Sequence, residues 1–153
     1  MRSTLPSTAL LALTLGCSRT VPVVPPEVAA ATPPPAAALS VADRIAELAT
    51  TALQADARLE SADSLYGPDV EIIADGQPRT MPPRYAGIQS GGQVAVGSTR
   101  VDVSGNFAWV LVEYRWLAAD QNVIREGRAT FVFSRAPGSG RWLIAHAHSS
   151  AVH

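Results

Sequence analysis

Two imidazoles one residue apart, His146 and His148, stand near the carboxyl end of the chain. In an extended strand that spacing turns both rings to one face, where they could share a metal ion. A third ligand is badly placed: Glu126 needs a favourable register, and His153 is the last residue. A structural or interface histidine pair is therefore expected, with neither metal nor cofactor. Facing a partner, such a pair makes association pH-sensitive, because imidazole titrates near neutrality. Nucleophilic hydrolysis finds no support. No Gly-x-Ser-x-Gly elbow occurs, and the single cysteine, Cys17, lies far upstream of the histidines. Gly91-Gly92 and Gly138-Ser139-Gly140 follow turn chemistry and not phosphate binding. Three phenols complete the inventory: Tyr114 could act inside a pocket, and Tyr66 and Tyr85 could line its mouth.

These groups have to be positioned by helices followed by strands. Ser40-x-x-Asp43 reads as a capping box with Asp in the place of the usual Glu. Val41, Ile45, Leu48, Ala49, Ala52 and Leu53 then recur at helical spacing over 41–56. A second, shorter helix is predicted over 59–66, stopped by Gly67-Pro68. Beyond it the period becomes two. A strand over 70–74 runs into the Asp75-Gly76 turn signal. The Pro-rich stretch 78–90 is loop, and strands follow at about 93–103, 107–117, 123–134 and 141–149. Helices first and an antiparallel meander afterwards predict an α+β domain with its helices on one face of the sheet.

A two-residue turn at Asp120-Gln121 sets Glu113 opposite Arg128 and Arg115 opposite Glu126. Two opposite-charge pairs from one register are favourable, and a slip of one residue loses both. For the last hairpin the expected register opposes Thr130 to His146 and Arg128 to His148. One face then carries Trp109, Leu111, Glu113, Arg115, Glu126, Arg128, Thr130, Trp142, Ile144, His146 and His148. The other carries Val110, Val112, Tyr114, Trp116, Gly127, Ala129, Phe131, Phe133, Leu143, Ala145 and Ala147, and belongs under the helices. Small residues beside Tyr114, Trp116 and Phe131 either leave a cavity or let the helices sit closer to a flat patch. The expected pocket lining is Tyr66, Tyr85, Val112, Tyr114, Trp116, Ala129, Phe131, Ala145 and Ala147. The charged face holds too many large apolar groups for a solvated surface, which suggests a two-fold dimer through it.

The first residues read as an address. Met1-Arg2-Ser3-Thr4, an apolar run over 5–15 and Gly16-Cys17 form a secretory leader over 1–16. Some eleven apolar-rich residues are too few for a bilayer core, which takes about 20. Thr14-Leu15-Gly16-Cys17 resembles the lipobox of bacterial lipoproteins, matching at Gly16 and Cys17, with leucine one place nearer the cysteine than usual. That resemblance implies lipid on Cys17, and Ser18, not being Asp, implies the outer membrane facing the periplasm. Residues 17–39 follow as a tether whose six prolines and many alanines favour an extended chain. At roughly 3.1 Å per residue it reaches about 70 Å. Losing the leader removes Arg2 and leaves 11 basic against 13 acidic residues, too little positive charge for nucleic acid. With Cys17 lipidated no disulfide forms within the chain, so a hydrophobic core built from residues 40–153 must supply the stability.

Two segments carry a family resemblance. Glu126-Gly127-Arg128-Ala129-Thr130-Phe131-Val132-Phe133 and Gly140-Arg141-Trp142-Leu143-Ile144-Ala145-His146-Ala147-His148-Ser149-Ser150 resemble the end of SnoaL-like domains of the nuclear transport factor 2-like superfamily. Leu65-Tyr66-x-x-Asp69-Val70 is similar to the end of that family's second helix and its first strand. The resemblance spans about 40–150. It implies a cone-shaped, cystatin-like roll with N-terminal helices on a curved antiparallel sheet around a pocket, dimeric through the sheet's outer face. In ketosteroid isomerase an Asp on the first strand is the base, and a Tyr and a protonated Asp stabilise the oxyanion. By resemblance the base falls near Ala74; Asp75 sits in a turn, and helix 41–56 has no tyrosine. No catalytic residue is assigned. A homodimer that binds a small apolar ligand or serves assembly is the expected role; an isomerase, cyclase or dehydratase acting on a cyclic apolar substrate, or a subunit of an envelope complex, are the alternatives.

Overall fold

The computed structural model describes residues 39–120 and 122–152. The leader, Cys17 and residues 17–38 of the tether fall outside the described residues, as do Gln121 and His153. Helix α1 spans Val41–Ala57, one residue past the expected end. Its capping box is formed: the Asp43 amide donates to the Ser40 hydroxyl and the Ser40 amide to the Asp43 carboxylate, both at 3.1 Å. Ile45, Ala49, Ala52 and Leu53 are buried along one stripe, whereas Val41 in the first turn stays exposed.

The second helix does not form. Leu59 and Ala62 take positive φ values of 57° and 48°, and only a single 3₁₀ turn, Asp63–Leu65, interrupts the loop. Eight residues are too few to offset helix nucleation on their own, and Leu59 at the start of the segment is exposed. Tyr66-Gly67-Pro68, expected to end that helix, instead begins strand β1, Tyr66–Ala74. Strand β2 is the two residues Gln77–Pro78, reached through Asp75 and Gly76, both at positive φ. Strands β3 (Gln93–Ser104), β4 (Phe107–Leu117), β5 (Ile124–Arg135) and β6 (Trp142–Val152) lie close to the expected boundaries.

The six strands form one sheet in the order β2-β1-β6-β5-β4-β3. Four strands run as the expected meander, but β1 joins β6 in parallel, so the sheet is mixed. Sequence periodicity carries no information on that pairing, because β1 and β6 are separated by the whole meander. The β4–β5 register is the expected one, with Glu113 against Arg128 and Arg115 against Glu126. The β5–β6 register is not. The loop after β5 closes with Ala136 donating to Arg141, which sets Arg135 opposite Trp142. A bulge around Ala145 then adds one more residue, so Thr130 faces His148 and Arg128 faces Ser150.

That bulge changes the two faces. With Ile144 opposite Phe133, both side chains are fully buried, and Trp142 packs against the core cluster. Trp142 and Ile144, expected on the outer face, therefore turn inward, while Ala145 is half-exposed instead of lining the interior. Past the bulge the outward setting of His146 and His148 is restored. Leu143, also expected inward, pairs with Ser134, takes the outward setting and is only partly buried, whereas Val110, Val112, Tyr114, Trp116, Ala129, Phe131, Phe133 and Ala147 keep their side and are buried with Ile45, Ala49, Ala52 and Leu53 of α1.

Candidate functional site

The interior of the roll is filled by its own side chains. A methyl group added at Gly127 would lie 2.5 Å from the Tyr114 ring, so the space that glycine leaves is taken by the phenol. Gly92 does the same for the Trp116 indole, 2.4 Å from an added methyl. Tyr85 packs on Phe131 with ring centroids 5.3 Å apart, and Phe131 on Phe133 at 6.1 Å. Of the residues expected to line an interior pocket, Tyr85, Val112, Trp116, Ala129, Phe131 and Ala147 are instead parts of this packed core.

Tyr85 is held in this core by its own loop. Residues Arg84, Tyr85 and Ala86 run over the sheet and are pinned through four of their backbone groups. The Arg84 amide donates to both Asp56 carboxylate oxygens at 2.7 Å, and the Tyr85 amide to one of them at 2.9 Å. The Ala86 amide donates to the Ser149 hydroxyl at 2.9 Å, and the Ala86 carbonyl accepts from the Tyr114 hydroxyl. Asp56 is 1 % exposed, and burial pushes its carboxyl above the ordinary 3.8, with the Arg84 and Tyr85 amides and the Arg84 charge opposing that shift. Burial also raises the phenols of Tyr66, Tyr85 and Tyr114, so all three are hydrogen-bonding groups and not bases.

Sequence reasoning missed Asp56, Arg84 and Ser149. Asp56 did carry a signal. It lies between two alanines in the last turn of a helix, where a carboxylate opposes the helix dipole and has no local benefit. Arg84 and Ser149 carried none, since their partners lie 28 and 63 residues away.

At the mouth of the roll, Tyr66 and Tyr85 share a hydroxyl hydrogen bond of 3.0 Å, and the Arg84 guanidinium sits 4.8 Å above the Tyr66 ring. Beside them is a cavity of about 440 Å³ lined by Asp63, Tyr66, Gly67, Pro68, Val70, Ile72, Arg79, Thr80 and Arg84. Tyr66 is thus the phenol that reaches open space here. Asp75 is a structural turn residue whose carboxylate accepts from the Ala151 amide at 2.9 Å, and Ala74 beside it is buried.

The outer face is polar and apolar together. Arg128 and Glu113 approach to 3.0 Å and Arg115 and Glu126 to 2.8 Å, and Ser98 donates to Glu113 at 2.8 Å. His146 lies 3.5 Å from Glu71 of β1, and His148 is exposed opposite Thr130. Trp109 and Leu111 are 57 % and 46 % exposed, next to Phe107. Among the described residues no three His, Cys, Asp or Glu side chains gather to hold a metal.

A helix on the inward face of a mixed sheet, closed by a loop over aromatic residues, narrows the choice of family, and the family model for the SnoaL-like domain matches residues 41–153. The chain belongs to the SnoaL-like domain family. Solved structures agree on the fold. A protein of unknown function with a cystatin-like fold from Nostoc punctiforme superposes with a TM-score of 0.60 at 8 % identity, covering 74 % of this chain and 94 % of that one. An NTF2-like protein of unknown function from Pseudomonas putida gives 0.58 at 20 %, covering 72 % and 86 %. A ketosteroid isomerase-like protein from Erwinia carotovora atroseptica gives 0.53 at 14 %, covering 73 % and 96 %. No curated protein matches the chain. The SnoaL-like domain here is thus the expected cone-shaped α+β roll, with one helix where two were expected.

Proposed function

We propose that this SnoaL-like domain is a non-catalytic homodimeric module, carried by lipid on Cys17 and a Pro/Ala tether at the periplasmic face of the outer membrane. The observation that carries this reading is the filled interior. Tyr85, Tyr114 and Phe131 are packed together in the core, with the Tyr114 ring filling the space at Gly127, and the buried carboxylate, Asp56, is engaged by backbone amides. Proton abstraction needs a base within hydrogen-bond reach of the substrate, and Asp56 offers no oxygen to one.

Homodimerisation is supported by the outer face. Trp109, Leu111 and Phe107 are exposed beside charges of both signs, Glu113 with Arg128 and Glu126 with Arg115. A two-fold axis brings such a patch against itself with complementary charge. Envelope anchoring is supported by the leader and by Gly16-Cys17.

Native mass spectrometry of Ser40–His153 is expected to give twice the subunit mass, and Leu111→Arg to give monomer with an unchanged circular dichroism spectrum. A monomer from the parent segment at about 50 μM, where a dimer of μM affinity is mostly assembled, overturns the assembly reading. Separately, Cys17→Ser is expected to move the full chain from the membrane to the soluble fraction; retention on membranes removes the anchor.

A further inference from the structure

The 440 Å³ cavity at the mouth is lined by the apolar residues Pro68, Val70 and Ile72 together with Arg79, Thr80 and Arg84. Arg84 is the unusual member. It is only 7 % exposed, and a buried guanidinium requires compensation by acceptors or an opposite charge. Its five donors find few acceptors. One nitrogen donates to the Ser61 carbonyl at 2.9 Å. The nearest carboxylate oxygen paired with it, on Asp63, is 3.8 Å away, beyond hydrogen-bond range, on a side chain that is 82 % exposed. Asp56, the carboxylate behind it, is engaged by the Arg84 and Tyr85 amides and not by the guanidinium. The Tyr66 ring covers one face of the group at 4.8 Å. Its remaining N–H groups are not sealed in protein, for the described buried side-chain atom without a partner is the Trp116 indole nitrogen. Arg84 is one of the residues that line the cavity.

Arg79 supplies a second cation at the same opening, and its own amide, donating to the Ile72 carbonyl at 2.8 Å, fixes it against β1. Among the lining residues two guanidinium groups face one carboxylate, Asp63, and Asp56, which also feels the Arg84 charge, lies outside the lining. Pro68, Val70 and Ile72 give the lining an apolar part, and the volume lies in the range of small-molecule sites, about 300–1,000 Å³. We propose that this cavity binds a small organic monoanion, its carboxylate held between Arg84 and Arg79 and its apolar body lying against Pro68, Val70 and Ile72. The proposal is independent of dimerisation, and a failure of one leaves the other standing.

Isothermal titration calorimetry of the full chain in a nonionic detergent tests it with three probes: cyclohexanecarboxylate, the neutral cyclohexanemethanol and inorganic phosphate. The carboxylate is expected to bind at least about tenfold more tightly than either of the others, the scale of a charge-assisted contact added to apolar burial. Arg79→Gln is expected to weaken the carboxylate about fivefold or more and to leave the alcohol unchanged, as loss of one exposed charge predicts. Arg84→Lys is expected to weaken it further, since an ammonium cannot offer the planar fork. If Arg84→Lys unfolds the loop, Arg79→Gln decides alone, because its side chain is exposed. No heat with the carboxylate up to about 5 mM, equal affinity for carboxylate and alcohol, equal affinity for phosphate, or an unaltered Arg79→Gln variant each overturns the proposal.

Discussion

Replacing Asp56 tests the account of the plugged interior most directly. The carboxylate accepts three short contacts from two backbone amides, those of Arg84 and Tyr85, at 2.7 to 2.9 Å. Asp56→Ala leaves both N–H groups buried without an acceptor, and each such group costs about 1–3 kcal/mol. Part of this returns, because the variant no longer buries a carboxylate whose pKa burial has raised. The net expected loss is about 3 kcal/mol, which for a domain of this size lowers Tm by roughly 10–15 °C. Asp56→Asn keeps one acceptor oxygen and is expected to lose less. The two variants also separate by pH. Asp56 has a folded pKa above its unfolded value, so the folded state holds the proton longer. Its contribution is fully present below the unfolded value near 3.8 and is lost as pH rises through the higher folded pKa. The stability of the parent minus that of Asp56→Asn should therefore fall as pH rises from about 3.5 to 7. Urea unfolding across that range, with hydrogen exchange at the Arg84, Tyr85 and Ala86 amides, measures both quantities. An Asp56→Ala variant within about 0.5 kcal/mol of the parent, or a difference that rises with pH, refutes the claim that this carboxylate holds the loop over the interior.

Further outcomes are expected from the same packing. Gly127→Ala forces a methyl to within 2.5 Å of the Tyr114 ring and should cost about 1–3 kcal/mol by urea titration, as overpacking does; a neutral result means that Tyr114 does not occupy that space. Ser40→Ala removes the acceptor for the Asp43 amide and should cost about 1 kcal/mol, read as a lower urea midpoint with an unchanged slope. Separating Glu113 from Arg128 by Arg128→Ala should change monomer stability by under about 1 kcal/mol, since both side chains are largely solvated, while weakening the dimer in sedimentation.

Much of this molecule follows from its sequence. The capping box at Ser40 and Asp43, the apolar stripe Ile45–Leu53 and the Glu113–Arg128 and Arg115–Glu126 register are local or hairpin-scale features, where residue spacing and pairing leave one solution. The ending over 140–150 pointed to the family for the same reason, since its alternation is written in adjacent residues. Tertiary structure decided the rest. The bulge near Ala145 put Ile144 against Phe133 and Trp142 inside, a choice set by which side chain fits the core and not by alternation, which counts every residue alike. The segment 59–66 is too short to nucleate a helix alone, and Tyr66 went instead into β1 and its parallel pairing with β6 across some 75 residues. Whether Gly127 meant a cavity or a seat for Tyr114 depended on a ring reaching over from β4, and the partners of Asp56 and Arg84 came from loops that only the closed roll brings together. Periodicity reports which way a side chain points; what it meets there is settled by close packing in three dimensions.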